Sequence, residues 1–225
     1  MNWEDECYLL SKRKFRENAN IINVFSYLKG KVTGVVYGGN SRKIRNYLQL
    51  SNKLFIVHNS KNENKLGYFK TELIKPISPL YFSDKKRTSA LISICSILNI
   101  LLPESQPNKN IYKSFDKFIS SINFENWIIL YIFFELNLIK ELGYDPNLKK
   151  FKNENSNFEI KRIKIDTFTY DVPDYLILRK VPNNLSNDLI KKSLYFTRSI
   201  IQNRFFIPNN LLFPKSRILL ERYFT

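Results

Sequence analysis

The stretch "KVTGVVYGGNSRKIRNYLQLSNKLFIVHNS", Lys31 to Ser60, decides how the first third of this chain folds. It opens on a Val- and Tyr-rich run, Lys31 to Gly39, of the kind that fits a half-buried pleated strand. Gly38 and Gly39 then free the backbone for a close bend. Asn40 or Ser41 can cap a short helix, because Ile44, Tyr47 and Leu48 follow at helical spacing. A second β-type run, Lys53 to Ser60, comes next. Working outward, "CYLLSKRKF" (Cys7 to Phe15) and "NIINVFSYL" (Asn20 to Leu28) precede the stretch. "LGYFKTELIKPI" (Leu66 to Ile77) follows it across the polar turn "KNENK". Five antiparallel strands with a short helix between the third and fourth is the layout of an OB-fold, a small barrel that commonly binds oligonucleotides.

Pro76 and Pro79 mark a change of composition, and the rest of the chain reads mainly as helix. "SDKKRTSALISICSILNILLP" has Ser83 as its cap and Pro103 as its stop. Helices follow over "NKNIYKSFDKFISSI" and "ENWIILYIFFELNLIKELG", the latter closed by Gly143. From Tyr144 to about Pro173 the periodicity breaks into polar and β-like pieces such as "FEIKRIKI". It returns in "SNDLIKKSLYFTRSIIQNRFF" and "KSRILLERYF". The expectation is an α+β protein: a five-stranded OB-fold barrel over 1–78, then a mainly α-helical domain over 79–225 with an irregular insertion at about 144–173. The run Trp127 to Ile139 carries Glu135 and Asn137 and falls short of the roughly 20 apolar residues that span a bilayer, so it reads as a buried core helix.

The formal charge is +16, from 36 Lys and Arg against 20 Asp and Glu. Such an excess suits a polyanion, nucleic acid or an anionic membrane surface, better than a small apolar substrate. Compositional drift of an AT-rich genome would scatter lysines, but it does not cluster them. Between residues 7 and 50 stand nine cations, Lys12, Arg13, Lys14, Arg16, Lys29, Lys31, Arg42, Lys43 and Arg45, against Glu17 alone. These are the candidate polyanion-binding residues, and DNA-binding residues if the polyanion is DNA. Arg42, Lys43 and Arg45 would project from the bend and the first helical turn and follow a phosphate backbone, while Tyr47 or Tyr37 could stack on an unpaired base. The plainer alternative is a glycine turn, a solvated cationic face and a Tyr47 packed in the barrel.

Catalysis finds little to stand on. The one histidine, His58, lies inside a strand, and no serine or cysteine sits in a nucleophile motif. Glu4, Asp5 and Glu6 form an acidic run that is ordinarily solvated, and there is no GxxxxGK[ST] phosphate loop. Cys7 and Cys95 read as buried free thiols of a reducing compartment, with a disulfide as the alternative. The start "MNWEDEC" lacks the positive charge and apolar core of a signal peptide, so the expected location is the cytoplasm. The expected class is a binding protein without cofactor or metal, not an enzyme. Its rivals are a metal-dependent nuclease and an RNA-binding OB-fold module.

The order of these parts resembles the RecO family of bacterial recombination mediators. The resemblance rests on "MNWEDECYLLSKRKFRENANIINVFSYLKGKVTGVVYGG", "GGNSRKIRNYLQLSNKL", "ELNLIKELGYDPNL" and "LFPKSRILL", which run from one end of the chain to the other. It implies an N-terminal OB-fold and a helical domain, binding and annealing of single- and double-stranded DNA, and association with the nucleoid. It also implies two protein partners, RecR and the C-terminal tail of the single-strand-binding protein SSB, in loading RecA on SSB-coated DNA. That tail is acidic and ends in Phe, so its receptor needs cations beside an apolar slot. Arg198, Arg204, Lys215 and Arg217, interleaved with apolar residues in the last third, are the candidates. In one respect the chain departs from many relatives: Phe151 stands where their first zinc-ligating cysteine falls, and no cysteine follows Cys95. A tetrahedral N/S site cannot be assembled from Cys7, Cys95 and His58 alone.

Overall fold

The computed structural model describes residues 2–60, 66–152, 159–182 and 184–224. The expected turn at 61–65 and the centre of the 144–173 segment, 153–158, lie outside the described residues. Two compact units emerge, Met1–Lys113 with Pro214–Arg217, and Ser114–Phe213 with Ile218–Thr225.

The first unit is built on five strands, β1 (Asn2–Arg16), β2 (Ala19–Ser26), β3 (Gly30–Tyr37), β4 (Lys53–Asn59) and β5 (Tyr68–Lys75). They close on themselves in the order β1-β2-β3-β5-β4, with the helix α1 (Arg42–Tyr47) between β3 and β4. Alternation explains the interior: Cys7 and Leu9, Ile22 and Val24, Val36, Leu54 and Ile56, and Phe69 point inward and share one core with Leu48. β1 is longer than the sequence suggests. Its acidic start is strand, with Asn2–Tyr8 paired to β4 before Cys7–Arg16 pairs with β2, and irregularities at Leu9/Ser11 and Lys14/Arg16 let it bend from one partner to the other. Asp5, expected to be solvated, accepts hydrogen bonds from Ser26 Oγ and from Leu28 N at 3.0 Å, which ties down the β2–β3 turn. β3 and β5 meet in a single parallel pair, Val35 with Tyr68.

The composition change at Pro76–Pro79 marks where strand gives way to helix, not where the compact unit ends. α2 (Lys85–Leu101) and the start of α3 (Lys109–Ser121) belong with the barrel. The cap of α2 is Asp84, not the expected Ser83. Its carboxylate accepts from Arg87 N at 3.0 Å and also pairs with the Arg87 guanidinium, which a serine could not do. Asn99 near the end of α2 takes Asn23 Nδ2 at 2.6 Å, and Tyr112 on α3 packs edge-on to Phe25 and Tyr27 while its hydroxyl donates to Glu6 O.

The second unit centres on α4 (Trp127–Glu141), apolar almost all round and buried accordingly. Glu135 on α4, 1% exposed, accepts a hydrogen bond from Thr197 Oγ1 at 2.5 Å. The segment read as an irregular insertion contains a hairpin, β6 (Ile160–Ile165) with β7 (Phe168–Pro173). It leads into α5 (Asp174–Leu178), α6 (Asn187–Ile201), a π turn over Gln202–Phe206, and α7 (Lys215–Arg222), of which this unit holds the part from Ile218 on. Tyr170 of the hairpin rests edge-on against Phe196 of α6. The turn residue Asp166 accepts from Tyr144 Oη at 2.7 Å and pairs with Arg204. No helix among the described residues is long and apolar enough to cross a membrane.

Candidate nucleic-acid interface

The bend after β3 is pinned to the β1–β2 turn. Gly38, at φ 70°, donates its N–H to Asn18 O at 2.8 Å, and Asn40 Nδ2 donates to Glu17 O at 2.8 Å. Gly39 has no room for a side chain, since an added Cβ would lie 2.5 Å from Asn20 Nδ2. α1 then starts from Ser41, whose side chain accepts from Ile44 N. Ile44, Tyr47 and Leu48 turn inward against the barrel core, which leaves Arg42, Lys43 and Arg45 exposed on the other side. Because the bend is tied to the turn, these cations and those of the end of β1, Arg13, Lys14 and Arg16, form one basic region from sequence segments about 30 residues apart. Lys12 belongs to it structurally. Its Nζ donates to Leu48 O at 2.7 Å, and burial, then the nearby Arg45, hold its amine below the ordinary lysine range.

The remaining candidates are elsewhere or engaged. Lys29 and Lys31 lie at the far end of the β2–β3 hairpin, about 20 Å from Tyr37 at some 3.3 Å per residue. Lys31 donates to Asn99 O at 3.0 Å and stands 3.9 Å from Glu104, so it joins β3 to the end of α2. Lys29 is exposed. The Tyr47 ring packs on the barrel core and its hydroxyl donates to Thr71 O at 2.7 Å, which places it as a brace between α1 and β5.

Strand pairing also assembles an outward row that the sequence reading did not contain. Arg13 pairs with Ile21, Ile21 with Val35, and Val35 with Tyr68, while Arg16 pairs with Ala19 and Ala19 with Tyr37. Ala19, Ile21 and Val35 are buried in a small apolar cluster separate from the barrel core. Beside it Tyr37 and Tyr68 remain 60% and 41% exposed, and Phe15 near the end of β1 is 44% exposed. The Tyr37 and Tyr68 rings are 6.3 Å apart, and the Arg16 guanidinium lies 5.2 Å from the centre of the Phe15 ring. The alternation in "LGYFK", with Phe69 inward and Tyr68 outward, is the signal that could have found Tyr68.

In the second unit, Arg198 is held by Glu221 at 2.8 and 3.4 Å and lies 5.0 Å from the Tyr195 ring centre. Arg204 pairs with Asp166 and covers the Tyr144 ring at 4.5 Å. Beside Arg198 a cavity of about 650 Å³ is lined by Arg162, Tyr170, Lys191, Lys192, Tyr195 and Glu221 among others. In the first unit, Lys215 is exposed, but Arg217 is 0% exposed and its guanidinium does not face outward as the sequence reading required.

The groups considered for chemistry have structural surroundings. His58 stacks on Trp3 at 5.0 Å, and an added Cβ at Gly67 would fall 2.0 Å from its Nε2. Glu6 pairs with Lys53 at 2.8 Å. Both cysteines are free and buried; burial pushes the Cys95 thiol up to about 12 and Cys7 well above its usual range. Among the described residues no group of three or more His, Cys, Asp or Glu could hold a metal ion.

Residues 1–77 match the family described as Recombination protein O N terminal, and residues 83–159 match Recombination protein O C terminal. DNA repair protein RecO of Ehrlichia chaffeensis is 33% identical over 159 residues, 70% of this chain and 64% of that protein. The protein of that name from Cereibacter sphaeroides (strain ATCC 17029 / ATH 2.4.9) is 31% identical over 150 residues, 67% of this chain and 62% of that protein. The chain thus spans less than two thirds of the length of these relatives. With DNA repair protein RecO of Wolbachia sp. subsp. Drosophila simulans the match is 28% identical and covers 98% of this chain and 99% of that protein.

Proposed function

The chain belongs to the RecO family of DNA repair and recombination proteins, and from that premise we propose that it is a non-enzymatic mediator that binds single- and double-stranded DNA and anneals complementary strands. The observation that carries this reading is the basic region formed by Arg13, Lys14 and Arg16 with Arg42, Lys43 and Arg45. Two segments are held side by side by backbone and amide hydrogen bonds, so the stretches that carry these cations are positioned relative to one another before DNA arrives. Contacts of this kind go to phosphates and carry no sequence preference, which suits a protein that must act on any damaged strand. The barrel order β1-β2-β3-β5-β4 with a helix between β3 and β4 supports an OB-fold as the scaffold. The proposed division is DNA binding by 1–78 and partner binding by 79–225.

The helical part takes the acidic, Phe-ended tail of SSB and, with RecR, the protein loads RecA on SSB-coated DNA in the bacterial cytoplasm. The tail receptor is placed at the cavity beside Arg198, where Lys191, Lys192 and Tyr195 supply cations and an aromatic wall. Arg217 is left out of it by its burial. The test is annealing of labelled complementary strands coated with SSB. The full chain is expected to accelerate duplex formation without divalent metal and without strand cleavage. No acceleration, or a preference for structured RNA over single-stranded DNA of equal length, would overturn the proposal.

A further inference from the structure

We infer that the outward row around Tyr37 and Tyr68 is a base-stacking subsite for unpaired strands, distinct from the phosphate-binding cations of α1. The inference rests on the DNA-binding reading above and adds what that reading lacks, a reason to distinguish single strands from duplex.

Three features carry it. First, Tyr37 and Tyr68 are among the more exposed aromatics of the first unit, and the pairing of β3 with β2 and β5 brings them together on one face. Exposed rings of this size ordinarily turn inward, and a cluster of them on a sheet face marks a binding surface. Second, the rings stand beside a rigid floor. Ala19, Ile21 and Val35 are at most 7% exposed, and β2, which carries the first two, is locked in register by β1 on one side and β3 on the other. A planar ligand can therefore be received with little ordering cost. Third, cations flank the rings, with Arg13 in the Ile21–Val35–Tyr68 row and Arg16 over Phe15. A base stacked on tyrosine thus has a guanidinium within reach of its own phosphate.

The geometry also selects the ligand. Tyr37 and Tyr68 are tilted at 57° with centres 6.3 Å apart, so they offer separate faces, not one flat plate. Each can take a base only if that base is splayed from its neighbours. A duplex keeps its bases stacked and paired, and it presents phosphates to the cations but nothing to the rings. A protein partner would need apolar knobs to fill the same space, and the flanking arginines favour the nucleic acid.

The experiment compares three ligands of equal length by fluorescence anisotropy: oligothymidylate, an abasic strand with the same phosphates, and a duplex. The unaltered chain is expected to bind oligothymidylate at least about 25-fold tighter than the abasic strand, given roughly a fivefold gain or more for each of two stacked bases. The double variant Tyr37→Leu/Tyr68→Leu should erase that difference and leave abasic and duplex affinities unchanged. Tyr37→Phe/Tyr68→Phe, which keeps both rings, should restore it. Equal binding of the base-bearing and abasic strands by the unaltered chain would overturn the subsite while leaving phosphate binding intact. So would a Leu variant that weakens all three ligands alike. Binding to none of the three would instead sink the DNA-binding reading itself.

Discussion

Replacing Arg42, Lys43 and Arg45 together with glutamine tests whether α1 holds phosphates. All three side chains are exposed, and the residues that fasten α1, namely Ile44, Tyr47 and Leu48, are untouched. Glutamine is a good helix former, so the change removes charge with little effect on the helix. Each phosphate neutralised on a single strand contributes about 0.7 to the slope of log affinity against log salt. If Arg13, Lys14, Arg16, Arg42, Lys43 and Arg45 each take one phosphate, Lys12 being engaged by Leu48 O, the unaltered chain has a slope of about −4, and the triple variant one of about −2. The assay is anisotropy of a labelled single strand titrated at a series of salt concentrations, with thermal melting to confirm an intact fold. Lys31→Gln serves as the internal contrast, because its amine is already committed to Asn99 O and the variant should keep the full slope. A triple variant whose slope differs from the parent by less than about half a unit would refute phosphate contact by α1.

Gly34→Ala is expected to destabilise by about 1–3 kcal/mol in urea unfolding, because the new Cβ would sit 2.4 Å from the Phe69 ring; Phe69→Leu in the same chain should recover most of the loss, and independent effects would exclude that contact as the cause. Dialysis against a chelator should leave the melting temperature unchanged, whereas a loss of structure would reveal a metal coupled to folding in the Tyr144–Pro173 segment. Burial raises the folded-state pKa of Cys7 and Cys95, the latter to about 12, so the unfolded chain releases these protons first as pH rises. Stability is therefore full below about pH 9 and is lost as the pH climbs towards 12, with a thiol reagent labelling neither cysteine until the chain unfolds; labelling of the native protein at neutral pH would contradict the burial.

The strands and helices were legible because their signals are local. Alternation in Lys31–Gly39 and Lys53–Ser60, the cap at Ser41 and the glycine at 143 each act within a few residues. The candidate site was legible only as charge. Lys12 and Lys31 look like Lys14 and Lys29 in sequence, yet the first two donate to carbonyls 36 and 68 residues away. Whether a lysine is spent on the fold or left for a ligand depends on that distant carbonyl. The same holds for Tyr68, which reaches Tyr37 only through the pairing of β5 with β3, and for Arg217, whose burial no short window of sequence encodes. The acidic N-terminus was legible only in part: Glu4 and Glu6 are exposed as a solvated run would be, whereas Asp5 is tied to the β2–β3 turn, whose donors lie about 20 residues away in sequence.

The single pair that joins β3 to β5 makes this barrel a hoop with one rivet. Elsewhere the strands are laced by seven or more registered pairs, but here one pair and the bond from Val35 N to Gly67 O at 3.0 Å close the ring. Further along β5 the Tyr47 hydroxyl engages Thr71 O, a lash thrown across from α1. The hoop therefore breathes first at this rivet, and the Val35 amide should trade its hydrogen with solvent well before the amides of β2 do. Tyr68 is one half of the rivet and Tyr37 lies two residues beyond the other half. A strand gripping both would clamp the hoop shut, so the seam would stiffen on loading and slacken on release.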